Sequence, residues 1–192
     1  MKSQVTTKTG DDGQSDALSG ERYSKGHPIM ECVGLVDEFR ANLALLRHVI
    51  LREKTADYAA VTEFLLWLAH ACLPLGSACS DPESKVPERH PVHIGPAQLE
   101  KLEAEQARLE KEVALPKAFI ASASNLAAAH ADVTCTVARR LERNIVRLKQ
   151  AIPAFDATAV LKFVNRLSDY LFILARYLEQ GEHLAMDPRL LE

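Results

Sequence analysis

Ile29-Met30-Glu31-Cys32-Val33-Gly34-Leu35-Val36-Asp37-Glu38-Phe39-Arg40-Ala41-Asn42-Leu43-Ala44-Leu45-Leu46-Arg47-His48-Val49-Ile50 decides the fold of this chain. Ile29, Val33, Val36, Phe39, Leu43, Leu46 and Ile50 step by three or four residues, which lays one apolar stripe along a helix. Working outward, the same period recurs. A second helix is predicted from about Ala56 to Ala78, with Val61, Leu65, Leu68 and Cys72 on its apolar side and Pro74 and Gly76 near its end. Residues 80–97 are rich in proline and without periodicity, so they read as a loop. A charged third helix follows from about Pro96 to Val113, a fourth from near Pro116 to Ala151, and a fifth from Asp156 to Gln180 with Gly181 as its C-cap. No stretch alternates with period two. Long amphipathic helices on short connections favour antiparallel packing. The expectation is therefore one all-α domain over 1–192: a five-helix bundle of four core helices plus one (29–192), preceded by an irregular N-terminal loop (1–28).

That loop is chemically dense. Val5-Thr6-Thr7-Lys8-Thr9-Gly10-Asp11-Asp12-Gly13-Gln14-Ser15 holds two glycines, four hydroxyls, a lysine and two aspartates. Glycine lets backbone N–H groups turn inward around an anion, and hydroxyls and lysine add donors. The spacing is not that of a Walker A loop. By itself the run is either a polar tail or a triphosphate site. Ser24-Lys25 closes the glycine-rich region, with the lysine an exposed charge or a phosphate donor.

Composition narrows the classes. A net charge of −3 leaves no basic excess for nucleic acid and no polybasic cluster for a membrane surface. The N-terminus lacks an apolar secretory segment, and Phe64–Gly76, interrupted by His70 and Pro74, reads as too short to span a bilayer. Cys32, Cys72, Cys79 and Cys135 form no C-x-x-C pair and read as free buried thiols of a reducing cytoplasm. His90 and His93, with Cys72 and Cys79, match no closed zinc pattern.

Two further clusters carry polar chemistry. In Arg139-Arg140-Leu141-Glu142-Arg143 the first and last arginines share a helical face, with Glu142 at i+3 from Arg139. This is a solvated ion-pair face or a guanidinium clamp for phosphates. In Asn165-Arg166-Leu167-Ser168-Asp169-Tyr170-Leu171-Phe172, Asn165 and Asp169 lie among apolar residues, as does Arg176. A buried asparagine there needs a partner, either another helix or a nucleotide and its loop.

Taken in order, Thr7–Gly13, Ser24-Lys25, Gly34-Leu35-Val36-Asp37-Glu38, Leu115-Pro116, Phe119-Ile120 and the two helical clusters resemble the PduO-type ATP:corrinoid adenosyltransferases over nearly the whole chain. The resemblance implies a homotrimer of five-helix bundles with active sites between subunits. One subunit's loop wraps ATP, its neighbour supplies the arginine and asparagine motifs, and the corrinoid occupies the adjacent cleft. The implied reaction is attack of Co(I) on the 5′-carbon of ATP, giving adenosylcobalamin and triphosphate, with Mg²⁺. It assigns ATP binding to Thr7, Lys8, Thr9, Gly10, Asp11, Gly13, Ser15, Lys25, Arg139, Glu142, Arg143 and Asn165. It assigns catalysis to Arg139, Phe119 and Asp37, with Phe119 covering the lower corrinoid face. The metal ligands stay open among Asp11, Asp12 and Glu142. A reductase and an adenosylcobalamin-dependent enzyme are the implied partners, with no nucleic acid or membrane.

The chain departs from that pattern at several places. Cys135 stands where the family has an arginine expected to pair with Asp37. Arg40, at i+3 from Asp37, could replace the missing cation. Ala121-Ser122-Ala123-Ser124 replaces Leu-Pro-Gly-Gly, Ile29 replaces an arginine, and Ser15 keeps the hydroxyl of a threonine. These departures leave an alternative: a non-catalytic relative that binds ATP or adenosylcobalamin for delivery or sensing.

Overall fold

The computed structural model describes residues 6–52, 58–115 and 117–192. Five helices carry it: α1 (Pro28–Arg52), α2 (Ala59–Ser80), α3 (Pro96–Glu110), α4 (Leu126–Ala151) and α5 (Thr158–Leu178). α1 packs on α2 and α4, α4 on α5, and α3 on α5. Aromatic pairs close the ring between α2 and α5, Phe64 with Tyr170 at 5.1 Å between centroids and Trp67 with Phe163 at 6.3 Å. α1, α2, α4 and α5 are thus the four-helix core. α3 lies outside it, burying only Leu102 and Leu109 and holding the Lys101 ammonium 4.6 Å from the Trp67 ring centroid.

The stripe that predicts α1 is buried except at Val33, which is only partly covered. Ile29, Val36, Phe39, Leu43, Leu46 and Ile50 are no more than 4% exposed, with Cys32 and Leu35 beside them. Burying each large apolar side chain contributes roughly 1.5–3 kcal/mol. α4 approaches its neighbours through Ala127, Ala128, Ala131 and Ala138, all fully buried; small side chains shorten the distance between helix axes. Pro at N1 and the Gln98 side chain, which accepts the Gly95 amide at 3.0 Å, start α3 where expected.

Several expectations are corrected. α4 starts at Leu126 rather than near Pro116, because Asn125 accepts the Ala128 amide at 2.8 Å and caps the helix. The residues before it form β3 (Ile120–Ser122), which pairs antiparallel with β4 (Leu184–Ala185). The N-terminal loop is not wholly irregular, since β1 (Gln14–Asp16) and β2 (Arg22–Ser24) make a hairpin in which Ser15 faces Tyr23. These strands are two or three residues long, too short for alternation to show in sequence. Pro74 and Gly76 lie within the last two turns of α2, which runs on to Ser80. The full 22-residue helix is long and apolar enough to cross a membrane by length and composition, which the shorter Phe64–Gly76 run did not suggest. Its Leu65, Leu68, Leu75 and Cys79 side is buried in the bundle. The expected start at Ala56 lies outside the described residues. α5 is capped by Glu179, not Gly181. Gln180 (φ 52°) and Gly181 (φ 87°) then take left-handed conformations that turn the chain back toward β3.

Candidate active site

The N-terminal loop is held by two cations. Lys25 donates from Nζ to the Gly10 carbonyl at 2.7 Å, and its own amide donates to the Gly13 carbonyl at 2.8 Å. Arg22 donates to the Thr9 carbonyl at 2.7 Å and to Asp12 Oδ1 at 3.2 Å, while Asp12 also accepts the Gln14 amide. Thr7 and Thr9 share a hydroxyl contact at 2.9 Å. Lys8 has φ 61° and Gly13 φ 79°, so the loop turns twice within six residues. A Cβ on Gly10 would lie 3.1 Å from Lys25 Nζ and 3.2 Å from the Gln14 carbonyl, which explains the glycine. The result is an exposed cradle of hydroxyls, amides and the Lys8 and Lys25 ammonium groups. The hairpin fixes it to the bundle: the Leu18 amide donates to Ser80 Oγ at 2.8 Å, and Arg89 donates to the Leu18 carbonyl at 2.8 Å. Val5, quoted with this run, lies outside the described residues.

A second site opens where β3 meets α4 and α5. A groove of roughly 520 Å³ is walled by Leu115, Phe119, Cys135, Arg139, Phe172 and Arg176, among others. Phe119 stands at its edge, 85% exposed. Cys135 is buried and donates from Sγ to the Ser168 carbonyl at 3.2 Å. Burial pushes its thiol up, against the pull of the neighbouring Arg139 cation. The polar residues continue along α4 and α5, where Asn165 Nδ2 donates to Glu142 Oε1 at 3.2 Å. Asn165 is exposed, so the buried asparagine expected from sequence is corrected: its amide faces outward beside Glu142. Arg140, the neighbour of Arg139, pairs with Glu38 and ties α4 to α1.

Asp37 is 65% exposed and takes Arg40 Nη2 at 3.1 Å, as the local substitution requires. The absent arginine therefore strands no buried carboxylate within the chain. Among the described residues, no hydrogen bond or ion pair joins loop residues 7–25, or Asp37, to Arg139, Glu142, Arg143 or Asn165. The candidate residues thus fall into two separate groups: the loop residues in one, the Phe119–Arg139 groove with Glu142, Arg143 and Asn165 in the other. His90 is buried against Asp81 at 3.1 Å, and Cys79 hydrogen-bonds Cys32, which with burial holds its thiol well above the usual range. Among the described residues no three His, Cys, Asp or Glu side chains converge.

Sequence reasoning missed Arg22, whose role appears only once the hairpin register sets Asp16 opposite it. It also missed a buried network under the groove. Arg176, 2% exposed, donates to Asp132 Oδ2 at 2.7 Å and lies 3.1 Å from Glu179 Oε2. Its one signal in the sequence was Arg176, set among apolar residues of the last helix.

A family model described as cobalamin adenosyltransferase matches residues 5–178. The corrinoid adenosyltransferase MMAB of Bos taurus is 35% identical over 184 residues, covering 93% of this chain and 72% of the relative. The cobalamin adenosyltransferase of Cupriavidus metallidurans is 32% identical, covering 93% and 90%. The corrinoid adenosyltransferase PduO of Salmonella typhimurium is 30% identical, covering 94% of this chain and 51% of its own length. A solved variant of the PduO-type ATP:corrinoid adenosyltransferase of Lactobacillus reuteri, complexed with cobalamin and ATP, superposes with a TM-score of 0.80 at 24% identity, covering 95% of each chain. That likeness shows the fold.

Proposed function

The chain belongs to the cobalamin adenosyltransferase family, and we propose that it transfers the 5′-deoxyadenosyl group of ATP to the Co(I) of a reduced corrinoid. The products are adenosylcobalamin and inorganic triphosphate. The observation that carries the reading is Phe119, an exposed ring at the edge of a groove whose wall includes Arg139.

The residues suit the electron flow. Co(I) donates an electron pair to C5′, the C5′–O bond breaks, and its pair leaves on the triphosphate. Cobalt is formally oxidised by two electrons. Charge grows on the leaving oxygen, so fixed cations aimed there lower the barrier. Lys8 and Lys25 from the loop and Arg139 from α4 are the candidates. Thr7, Thr9, Ser15 and the amides around Gly10 and Gly13 hold the phosphates; Glu142, Arg143 and Asn165 hold the nucleoside side. Phe119 keeps water and other lower ligands from cobalt, leaving the axial pair free for attack. Mg²⁺ is part of the proposal. It keeps few protein ligands and relies on substrate phosphates, which suits a loop whose Asp12 is engaged by Arg22.

Two half-sites on one chain support a site completed by a second copy, and we assign a homotrimer. Exposed Leu45 on α1 and Val133 and Val146 on α4 are apolar positions such an assembly would cover. A reductase supplies Co(I), and an adenosylcobalamin-dependent enzyme consumes the product. Four unpaired buried cysteines support a cytoplasmic setting.

The test is an anaerobic spectrum of cob(I)alamin with the protein, ATP and Mg²⁺. Loss of the Co(I) band with growth of adenosylcobalamin is expected. ATP binding without conversion would overturn the transferase in favour of a delivery or sensing role.

A further inference from the structure

We infer that Glu179 is a positioning residue for Phe119, holding the segment that carries the ring at both ends. The inference rests on the reading of Phe119 as the cover of the lower corrinoid face.

Phe119 makes little packing of its own, being 85% exposed. Its position is therefore set by its backbone. That backbone belongs to a ladder of two very short strands, in which the Met186 amide donates to the Phe119 carbonyl at 2.8 Å and Ile120 faces Ala185. A two-stranded ladder of this length is not stable alone. Something must clamp both strands, and one carboxylate contacts a residue flanking each. Glu179 Oε1 accepts the Ser124 amide at 3.1 Å, just beyond β3. Glu179 Oε2 meets His183 Nδ1, just before β4. The other His183 nitrogen contacts the Ala114 carbonyl at 3.2 Å, on the approach to Phe119 from the opposite side. The left-handed pair Gln180 and Gly181 turns the chain so that His183 can return to Glu179.

The carboxylate is itself fixed. Its side chain is fully buried, and a buried charge survives only when its lone pairs are met. Arg176 lies 3.1 Å from Oε2 and reaches on to Asp132, and both Arg176 and Asp132 line the groove. The Phe172 ring stacks under the same guanidinium at 5.3 Å. The clamp is thus built into the groove floor, and a shift at Glu179 moves the ring above it. A capping role for α5 alone would not need contacts to Ser124 and His183.

The experiment measures cob(I)alamin and ATP kinetics for Glu179→Gln, Phe119→Ala and the double variant. Gln keeps the size and one acceptor but loses the charge. Glu179→Gln is expected to raise the KM for cob(I)alamin about tenfold with the KM for ATP unchanged, since small displacements of a positioned group carry such losses. The effect is expected to vanish in the Phe119→Ala background, because the carboxylate acts through that ring. Hydrogen exchange at the Met186 amide should quicken in Glu179→Gln. His183→Ala, which leaves the Arg176 contact in place, should act in the same direction and serves if Glu179→Gln fails to fold. An equal rise in the KM for ATP, or an undiminished effect in the Phe119→Ala background, would overturn the inference. So would an unchanged corrinoid KM in both Glu179→Gln and His183→Ala. If Phe119→Ala alone leaves adenosylation intact, the reading of Phe119 fails instead.

Discussion

Arg40 illustrates how a surface charge can matter without stabilising its own chain. It is half exposed, its partner Asp37 more so, and the pair is local to one helix. Such pairs contribute about 0.2–0.5 kcal/mol. Arg40→Ala is therefore expected to shift the urea midpoint of the monomeric fold by no more than about 0.5 kcal/mol equivalent. Corrinoid turnover should nonetheless fall, because in the proposed trimer Asp37 would then meet the neighbouring copy without a compensating cation. Unchanged turnover and unchanged assembly would show that Arg40 compensates for nothing. At this scale the sequence was legible where chemistry is local: Lys25, Gly10 and Arg139 are all placed on their expected segments. Asn165 was misjudged as buried because apolar neighbours along a chain do not say which way an amide faces. Glu179 was invisible, since its partner Ser124 lies 55 residues away along the chain and meets it only once β3 has paired with β4.

The elements divide by how they are stabilised. The helices announced themselves because each carries its own period, as Leu43, Leu46 and Ile50 do in α1. β3 and β4 did not, because three residues of strand are set by a partner far along the chain. The start of α4 followed from a side chain, Asn125, that also donates to the Leu178 carbonyl at 2.8 Å and so joins two helix ends. Asn125→Ala removes both bonds and should cost about 1–2 kcal/mol, read from urea denaturation. The loop after α2 has its own lock in Asp81. Burial raises its carboxyl, but the Val86 and Lys85 amides and His90 outweigh it, and the net shift is downward. The folded state then binds fewer protons than the unfolded chain between the two values. Asp81 thus stabilises above the unfolded carboxylate value of about 4 and loses that contribution as pH falls below it. Wild type should show this acid loss in melting temperature. Asp81→Asn should be less stable at neutral pH, by roughly 1–3 kcal/mol, and should lack that part of the acid slope.

At the scale of the whole molecule, the separation of the two half-sites makes a direct demand. A loop-deficient variant, Lys8→Ala with Lys25→Ala, and a helix-deficient variant, Arg139→Ala, should each be inactive alone. Unfolded together and reassembled, they should regain about a quarter of wild-type turnover, as random mixing in a closed ring pairs intact halves at that frequency. No recovery would place both halves of the site on one chain. The same architecture leaves an optical handle. Trp67 is the only indole in the chain, and it sits in α2, which contributes nothing to the walls of the Phe119 groove. Its emission is governed by the Lys101 ammonium above it and the aromatic rings beside it. Lifting α3 from the bundle would brighten or shift that emission with both substrates absent. A coloured corrinoid, by contrast, would dim it through space. One fluorophore thereby separates loosening of the scaffold from occupancy of the cleft.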